Sequence, residues 1–477
     1  MLKVAYVATH LESYLAEESG VFARSVKGLE QLSKSLSFDL ALVETHLTTR
    51  QDAKRVAEKC VDQAIDFVLL QNASFTMGDL ILEFVDKPFK LGIWAVEEAS
   101  REGAISLNNF VSMNLQAGII SRYLKEQNLA VKWFYGYPEH PWFKTRLEPT
   151  VAALRAIKRL GNAKVGLVGG VAPTFYNIQF DERSLVRTLG AEVGHHELAE
   201  LFALVGQQPE SAVQQATTAM REAANNRVEI SERDLRINAG IYLALKAFAT
   251  THCYDALAVS DWPAFQSELE IHPGMAFSCL DEFDHIPVGS EGDVLGAVTM
   301  LMSNELNNDK SLLLDMNDLD LERDAVLMWH CGGSPLSFAD EHGVTWKNHS
   351  TLGRKSAAPR MGAVADYTFA TGPATILRLS DDAKKLFVLD AEIIDSPISG
   401  FDGSRGWLSN FSWDEKPLCL ADIVNTIMVE GIEHHFILSK GNYSEAAREV
   451  AAWLDLAIIE PVPYKAYLQR FDLSELI

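Results

Sequence analysis

Short apolar runs rich in β-branched residues alternate with amphipathic stretches through the first third of the chain. Strands are predicted over residues 4–8, 38–44, 66–71 and 90–95, and helices over 18–36 and 49–64. Strands alternating with helix-length segments indicate βαβ units built on a parallel sheet. A helix is expected over 142–159, and the run KVGLVGG at 164–170 opens a second block of the same texture. Its predicted strands lie at 192–196, 256–259, 286–289 and 312–315, and its helices at 207–225 and 231–250. Beyond about residue 345 the pattern changes. Residues 370–380 and 384–395 read as extended strands, and no long helix is expected until 444–454, capped by Asn442 or Ser444. The expected fold class is α/β. Two consecutive doubly wound α/β domains (1–160 and 161–345) precede a β-rich, barrel-like C-terminal domain (346–477) with a closing helix.

Length supports more than one domain: a single core stops growing near ~250–300 residues, and this chain has 477. Hydrophobic residues make up 48% and charged residues 22%, the balance of a soluble globular protein. No apolar stretch is long enough to span a membrane, and the start MLKVAYVATH reads as a first strand and not as a signal peptide. The net charge of −23 opposes binding to nucleic acid or an anionic membrane, so neither is expected as a partner. Five widely spaced cysteines with no CxxC pair argue against a zinc ribbon or a disulfide scaffold. Reduced thiols point to the cytoplasm.

Several familiar chemistries are missing. VGLVGGVAP lacks the GxGxxG spacing of a dinucleotide site, which disfavours a nicotinamide dehydrogenase, and no Walker A or GxSxG sequence occurs. His195 and His196 are adjacent on a predicted strand and point to opposite faces, so they do not chelate together. His10 and Gln71 follow predicted strands, at the carboxyl ends where α/β sheets bind ligands. Each is a substrate-binding candidate, with a solvated loop residue as the alternative.

The second half gathers acids and imidazoles. Glu291, in PVGSEGD, sits in a glycine-flanked turn between a predicted strand and a helix; the helix dipole alone would also favour an acid there. Asp315 ends the apolar run LLLD, where a buried acid is costly unless it is paired or coordinates a cation. Asp318 and Asp320 read as loop acids. His330 ends a strand in VLMWHCGG, and of His434 and His435 in IEHHFIL alternation turns one inward. Carboxylates with one or two imidazoles suit Mn²⁺, with Mg²⁺ or Co²⁺ as alternatives.

Taken in order, these segments resemble the L-fucose/L-arabinose isomerase superfamily. SEGD at 290–293 is similar to the family's glutamate motif, and LLLD follows with Asp315 24 residues after Glu291, at the place of the second acidic ligand. WHCG at 329–332 resembles the segment with an additional histidine, EHHF at 433–436 the C-terminal histidine pair, and GPATILRLS the strand pair of the C-terminal domain. The resemblance implies Glu291 and Asp315 as catalytic pair and metal ligands, His435 as a third ligand, and His330 as a ligand or its supporting donor. It implies a metal-dependent aldose–ketose isomerase working through an enediolate on a pentose, a deoxyhexose or a modified, including sulfonated, hexose. It also implies a homo-oligomer, a hexamer, in the manner of the family. DWPAFQ at 261–266 resembles a substrate-side segment, where Trp262 would cover a sugar face and Gln266 bond a hydroxyl. For Trp262 and Trp329 a plain core position is the alternative. Arg354, Lys355 and Arg360 form a basic cluster that would hold an anionic group, or else is a solvated loop. A non-catalytic sugar-binding protein and an epimerase or lyase using the same metal site are the competing readings.

Overall fold

A strand buried on both faces reads as a near-continuous apolar run, and Phe67–Asn72 is buried at every position, with its two polar residues, Gln71 and Asn72, at the carboxyl end. In the computed structural model, which describes residues 1–331, 333–352 and 361–469, this segment is the middle strand of a parallel sheet. The chain forms two compact units, Met1–Lys158 and Arg159–Ile477. The sheet of the first unit consists of β1 (Leu2–Thr9), β2 (Phe38–Leu47), β3 (Phe67–Asn72), β4 (Lys90–Ala95) and β5 (Val131–Tyr135), in the order β2–β1–β3–β4–β5. Helices α1 (Val21–Leu36), α2 (Arg50–Asp62) and α3 (Asn109–Tyr123) connect these strands. Thr49 caps α2 by accepting from the Asp52 amide.

The second unit holds two sheets. The first is parallel, with β6 (Lys164–Val168), β7 (Glu192–His196), β9 (Ala256–Val259) and β10 (Val288–Ser290) in the order β10–β9–β6–β7; the two-residue β8 (Arg227–Val228) joins the edge of the second sheet. The second is antiparallel for most of its extent. It contains β11 (Leu312–Asp320), β12 (Ala325–His330), β13 (Thr345–Asn348), β14 (Gly362–Thr368), β15 (Gly372–Ser380), β16 (Lys385–Ile394), β17 (Ser404–Trp413), β18 (Lys416–Pro417), β19 (His435–Lys440) and β20 (Ala457–Ile458). Six of these strands close on themselves in the ring β15–β16–β17–β12–β11–β19. Closure leaves those strands no free edge.

Three expectations change here. β11, expected in the second α/β block, pairs antiparallel with β12 and β19 and so belongs to the ring. Only four residues separate β11 from β12, too few for the crossover that a parallel pair requires. A helix that was not expected, Leu420–Glu430, interrupts the β-rich end. The final helix, Ser444–Leu454, has Tyr443 at its N-cap with no side-chain cap bond, so neither Asn442 nor Ser444 fills that role. The basic cluster Arg354, Lys355 and Arg360 lies outside the described residues.

One core continues through the second unit. It joins Leu245 and Phe248 of the helix Glu232–His252 and Met275 and Phe277 of Gly274–Asp284 to inward residues of the ring, among them Leu312, Leu314, Met328, Ile376 and Leu438. The helix Val294–Asn307 is buried along most of its length, and its Met300 packs on Leu313 and Ile437. The turn at its N-terminus is thereby set against the start of β19.

Candidate metal centre

The turn between β10 and the helix Val294–Asn307 presents Glu291. Glu291 itself has a left-handed backbone (φ 61), as does Gly292 (φ 76). A side chain at Gly292 would bring a Cβ within 2.2 Å of the Gly170 carbonyl oxygen, so glycine is required by both conformation and space. The backbone is held at three points. Glu291 N donates to Asp261 Oδ1 at 2.7 Å. Ala172 N donates to the Glu291 carbonyl at 2.8 Å, and Gly292 N to that of Val259 at 3.0 Å. Asp261 is fully buried; burial, and then the charge of Glu291, push its carboxyl up to about 7. Asp293 ends the turn and caps the helix, accepting from Gly296 N at 2.8 Å.

The first residue of β19 completes the arrangement. His435 lies directly opposite Asp315 of β11. Its Nδ1 is 2.9 Å from Asp293 Oδ2, and Arg378, buried on β15, grips the same carboxylate with Nη1 at 2.6 Å and Nη2 at 3.2 Å. Burial works against the Asp293 charge, but Arg378 and His435 outweigh it and hold the carboxyl far below its ordinary value. Asp293 is therefore an ionised acceptor, which places a proton of His435 on Nδ1. Burial opposes the charge of the ring, but Asp293, Asp315 and Glu291 outweigh it and push the imidazole up; in the neutral form that a cation would require, the lone pair is on Nε2. That Nε2 is 3.5 Å from Glu291 Oε2 and 3.9 Å from Asp315 Oδ1. Both His435 Nε2 and Asp315 Oδ1 are buried without a hydrogen-bond partner. Burial pushes the Asp315 carboxyl up, against the pull of His435 and His434. Two buried polar atoms left unpaired beside a carboxylate are what a cation would satisfy.

Two further imidazoles adjoin. His434 Nε2 is 3.2 Å from Glu291 Oε2, and its ring stacks on Phe175. The His330 ring lies 5.4 Å from that of His435. Glu291, His434 and His435 each offer a ligand atom within 4.8 Å of the others, as do Asp315, His330 and His435. Among the described residues a third such group is His272, Cys331 and His349. Its tautomers set it apart. His272 Nδ1 accepts from Gly274 N at 3.1 Å, and His349 Nδ1 accepts from Thr351 N and Leu352 N at 3.1 Å each. In the neutral imidazole each Nε2 must then carry the proton, which leaves it a donor and not a ligand. Burial, followed by the charges of Asp261, Asp315 and Glu291, also pushes the Cys331 thiol well up. This third group is a poor metal centre.

Four residues named from the sequence thus come together: Glu291, Asp315, His330 and His435. Trp262 is 42% exposed, which excludes a core role. Gln266 donates Nε2 to the Asp261 carbonyl at 3.1 Å, while its Oε1 is buried with no partner. Trp329 faces Asp315 across the ladder, and its indole N–H donates to the Asp402 carbonyl at 2.9 Å. His10 and Gln71 belong to the first unit. His10 is buried against Phe22 and His46, not solvated. Gln71 is fully buried and bonds the Tyr6 hydroxyl and Ser25 Oγ. Asp318 and Asp320, expected in a loop, lie on β11; Asp318 is exposed, and Asp320 binds Arg323 of the turn that follows. His195 and His196 each meet a glutamate, Glu182 and Glu200. Sequence reasoning passed over His434, Asp293, Asp261 and Arg378. Alternation was applied to His434 although β19 begins only at His435. For Asp293 the available signal was its place just before an apolar helical run, an N-cap position.

No family profile matches the chain. Curated relatives do. The chain is 25% identical over 465 residues to the sulfoquinovose isomerase of Priestia aryabhattai, covering 95% of this chain and 98% of the relative. It is 24% identical over 404 residues to that of Alkalicoccus urumqiensis, covering 83% and 86%. The match to the sulfoquinovose isomerase of Clostridium sp. (strain MSTE9) is 21% over 472 residues, covering 97% and 98%. The chain is an enzyme of the isomerase type. Among solved structures, an ABC transporter solute-binding protein of Burkholderia multivorans matches 65% of the chain at 15% identity with a TM-score of 0.18, too low to bear on the fold. No helix among the described residues is long and apolar enough to cross a membrane.

Proposed function

We propose that this chain is a divalent-metal-dependent aldose–ketose isomerase whose substrate is a sulfonated aldose of the sulfoquinovose type. The observation that carries the reading is the His435 Nε2–Asp315 Oδ1 pair, buried and unpartnered beside Glu291. The substrate class rests on the curated relatives, which match along nearly the whole chain. Glu291, Asp315 and His435 would hold the cation, with His330 and His434 beside them. Mn²⁺ is the proposed ion, with Mg²⁺ or Co²⁺ as alternatives; oxygen donors with imidazole and no thiolate suit all three. When bound, such an ion supplies a Lewis acid for the oxygens on two neighbouring carbons.

The protein's own groups do the rest. Glu291, fixed by its turn, takes the proton from C2 of the open-chain aldose and returns it to C1. Asp315, whose carboxyl burial pushes up, moves the proton between the two oxygens. Atoms balance, since one hydrogen leaves C2 and one arrives at C1. Arg378 and Asp293 hold His435 in a single tautomer, so its orientation needs no rearrangement during turnover. A homo-oligomer, a hexamer in the manner of the resemblance, and a cytoplasmic setting complete the proposal. Five cysteines without disulfides are compatible with a reducing compartment.

The test is conversion of a panel of aldoses, sulfoquinovose included, in D₂O with Mn²⁺, followed by proton NMR. Ketose formation that EDTA abolishes is the expected result, and tight binding without exchange at C2 would make the protein a sugar-binding one. Glu291→Gln should lower turnover by at least about 10²-fold with the thermal midpoint preserved. Full activity in that variant would remove Glu291 from the chemistry.

A further inference from the structure

His272 and His349 are drawn together by one short stretch of backbone. His272 exchanges main-chain bonds with Gly362 (2.7 Å) and Ala363 (3.1 Å), and His349 N donates to the Met361 carbonyl at 2.7 Å. The two rings lie 4.6 Å apart between centroids, and both residues are buried. Each Nδ1 is occupied by backbone amides of its own turn, so each ring keeps an Nε2–H as its remaining donor. One acceptor lies close to these donors, and a second is tied to the same residue. Asp261 Oδ2 is 3.8 Å from His272 Nε2, beyond hydrogen-bond length, while Oδ1 of the same carboxylate holds the Glu291 amide. Gln266 Oε1 is buried without a partner, and its amide nitrogen is bonded to the Asp261 carbonyl. Asp261 therefore connects this cluster to the Glu291 turn.

A mixed set of this kind selects its ligand. A sugar hydroxyl donates one hydrogen bond and accepts others, so it complements imidazole N–H donors next to carboxylate and amide oxygens. A sulfonate only accepts, so the oxygens of Asp261 and Gln266 offer it no partner. We propose that His272, His349, Asp261 and Gln266 form a subsite for hydroxyl groups of the sugar chain, and that the anionic group of the substrate is held elsewhere. This rests on the isomerase reading above.

The test uses two variants that spare the turns. Asparagine places an acceptor where Nδ1 stood but does not reach the Nε2 position, so His272→Asn and His349→Asn remove the remaining donor and keep the local caps. The probes are 6-deoxy-6-sulfoglucitol and its 3-, 4- and 5-deoxy analogues, titrated calorimetrically into Mn²⁺-loaded protein, with thermal midpoints recorded for each variant. Each variant should bind the parent alditol about tenfold more weakly, the loss expected for one hydrogen bond with a partner left unpaired. The loss should vanish for the analogue that lacks the gripped hydroxyl. A loss of the same size for every analogue, or none for the parent, overturns the subsite. If the unmodified protein binds none of the four, the isomerase reading falls with it; if it binds them and the variants match it, the subsite alone falls.

Discussion

Asp281, on the helix Gly274–Asp284, has both carboxylate oxygens buried without hydrogen-bond partners. Burial pushes its carboxyl up to about 7, with Lys310 opposing. The unfolded chain titrates near ~3.9, so between these values the folded protein binds a proton that the unfolded chain has released. The contribution of this group to stability is thus fully present below about pH 4 and is lost as pH rises through about 7. Asp281→Asn, which cannot ionise, should raise the unfolding free energy at pH 8 by about 1–3 kcal/mol and leave it unchanged near pH 4. Urea unfolding at the two pH values measures this directly, and equal stabilities at pH 8 would mean that the carboxylate is solvated there. At the residue scale the sequence was informative where chemistry and position coincide. Glu291 between glycines and Asp315 at the end of three leucines stand out as costly placements. His272 and His349 do not, because their character depends on which nitrogen meets a backbone amide, and that follows from turns the sequence does not spell out. Arg378 is similar: an arginine in an apolar strand signals a buried partner without saying which one.

The turn Ser290–Asp293 shows how much of the centre is a property of backbone and not of side chain. Glu291 and Gly292 both take left-handed conformations. A Cβ at residue 292 would have to displace the backbone at Gly170, since 2.2 Å is no contact distance. Gly292→Ala should therefore shift the turn and carry Glu291 away from His435. The expected outcome is a Mn²⁺ affinity lowered by at least about tenfold, with a stability cost of about 1–3 kcal/mol from strain. Calorimetric Mn²⁺ titration checks it, and undiminished affinity would show that Glu291 is not needed for the ion. Elements of this kind were legible in the sequence: four of the five strands of the first unit follow from short apolar runs, and helices such as α1 and α2 from amphipathic stretches, while β5 went unread. Pairing was not. LLLD at 312–315 reads equally well as a parallel strand or as one stave of an antiparallel ring, because three leucines bury themselves in either setting. Only its partners, 120 or more residues further on in β19 and adjacent in β12, decide it.

On the scale of the whole molecule, charge and apolar surface pull in opposite directions. Each copy carries −23, so copies repel one another, and association must come from apolar burial. The first unit offers a surface for that. Phe110, Val111, Leu115, Trp133 and Trp142 are between 40% and 56% exposed. Ring contacts link Phe110 to Tyr135, Tyr135 to Trp142 and Trp142 to Trp133. An apolar patch of this kind on an acidic chain fits an interface, and a second copy of the chain is the occupant that the proposed homo-oligomer would supply. Two consequences follow from the balance of forces. Raising salt screens the repulsion and leaves the apolar term in place, so the assembly should persist or tighten at 1 M NaCl, where an assembly held by ion pairs would loosen. Phe110→Glu puts a charge into the patch and adds to the repulsion, so it should shift the protein to a smaller species at micromolar concentration. Its own fold should be kept, because the replaced ring is more than half exposed. Sedimentation velocity on both proteins at low and high salt separates the cases: a Phe110→Glu variant that sediments like the unmodified protein would move the interface off this face, and dissociation by salt would give the association to charged groups instead.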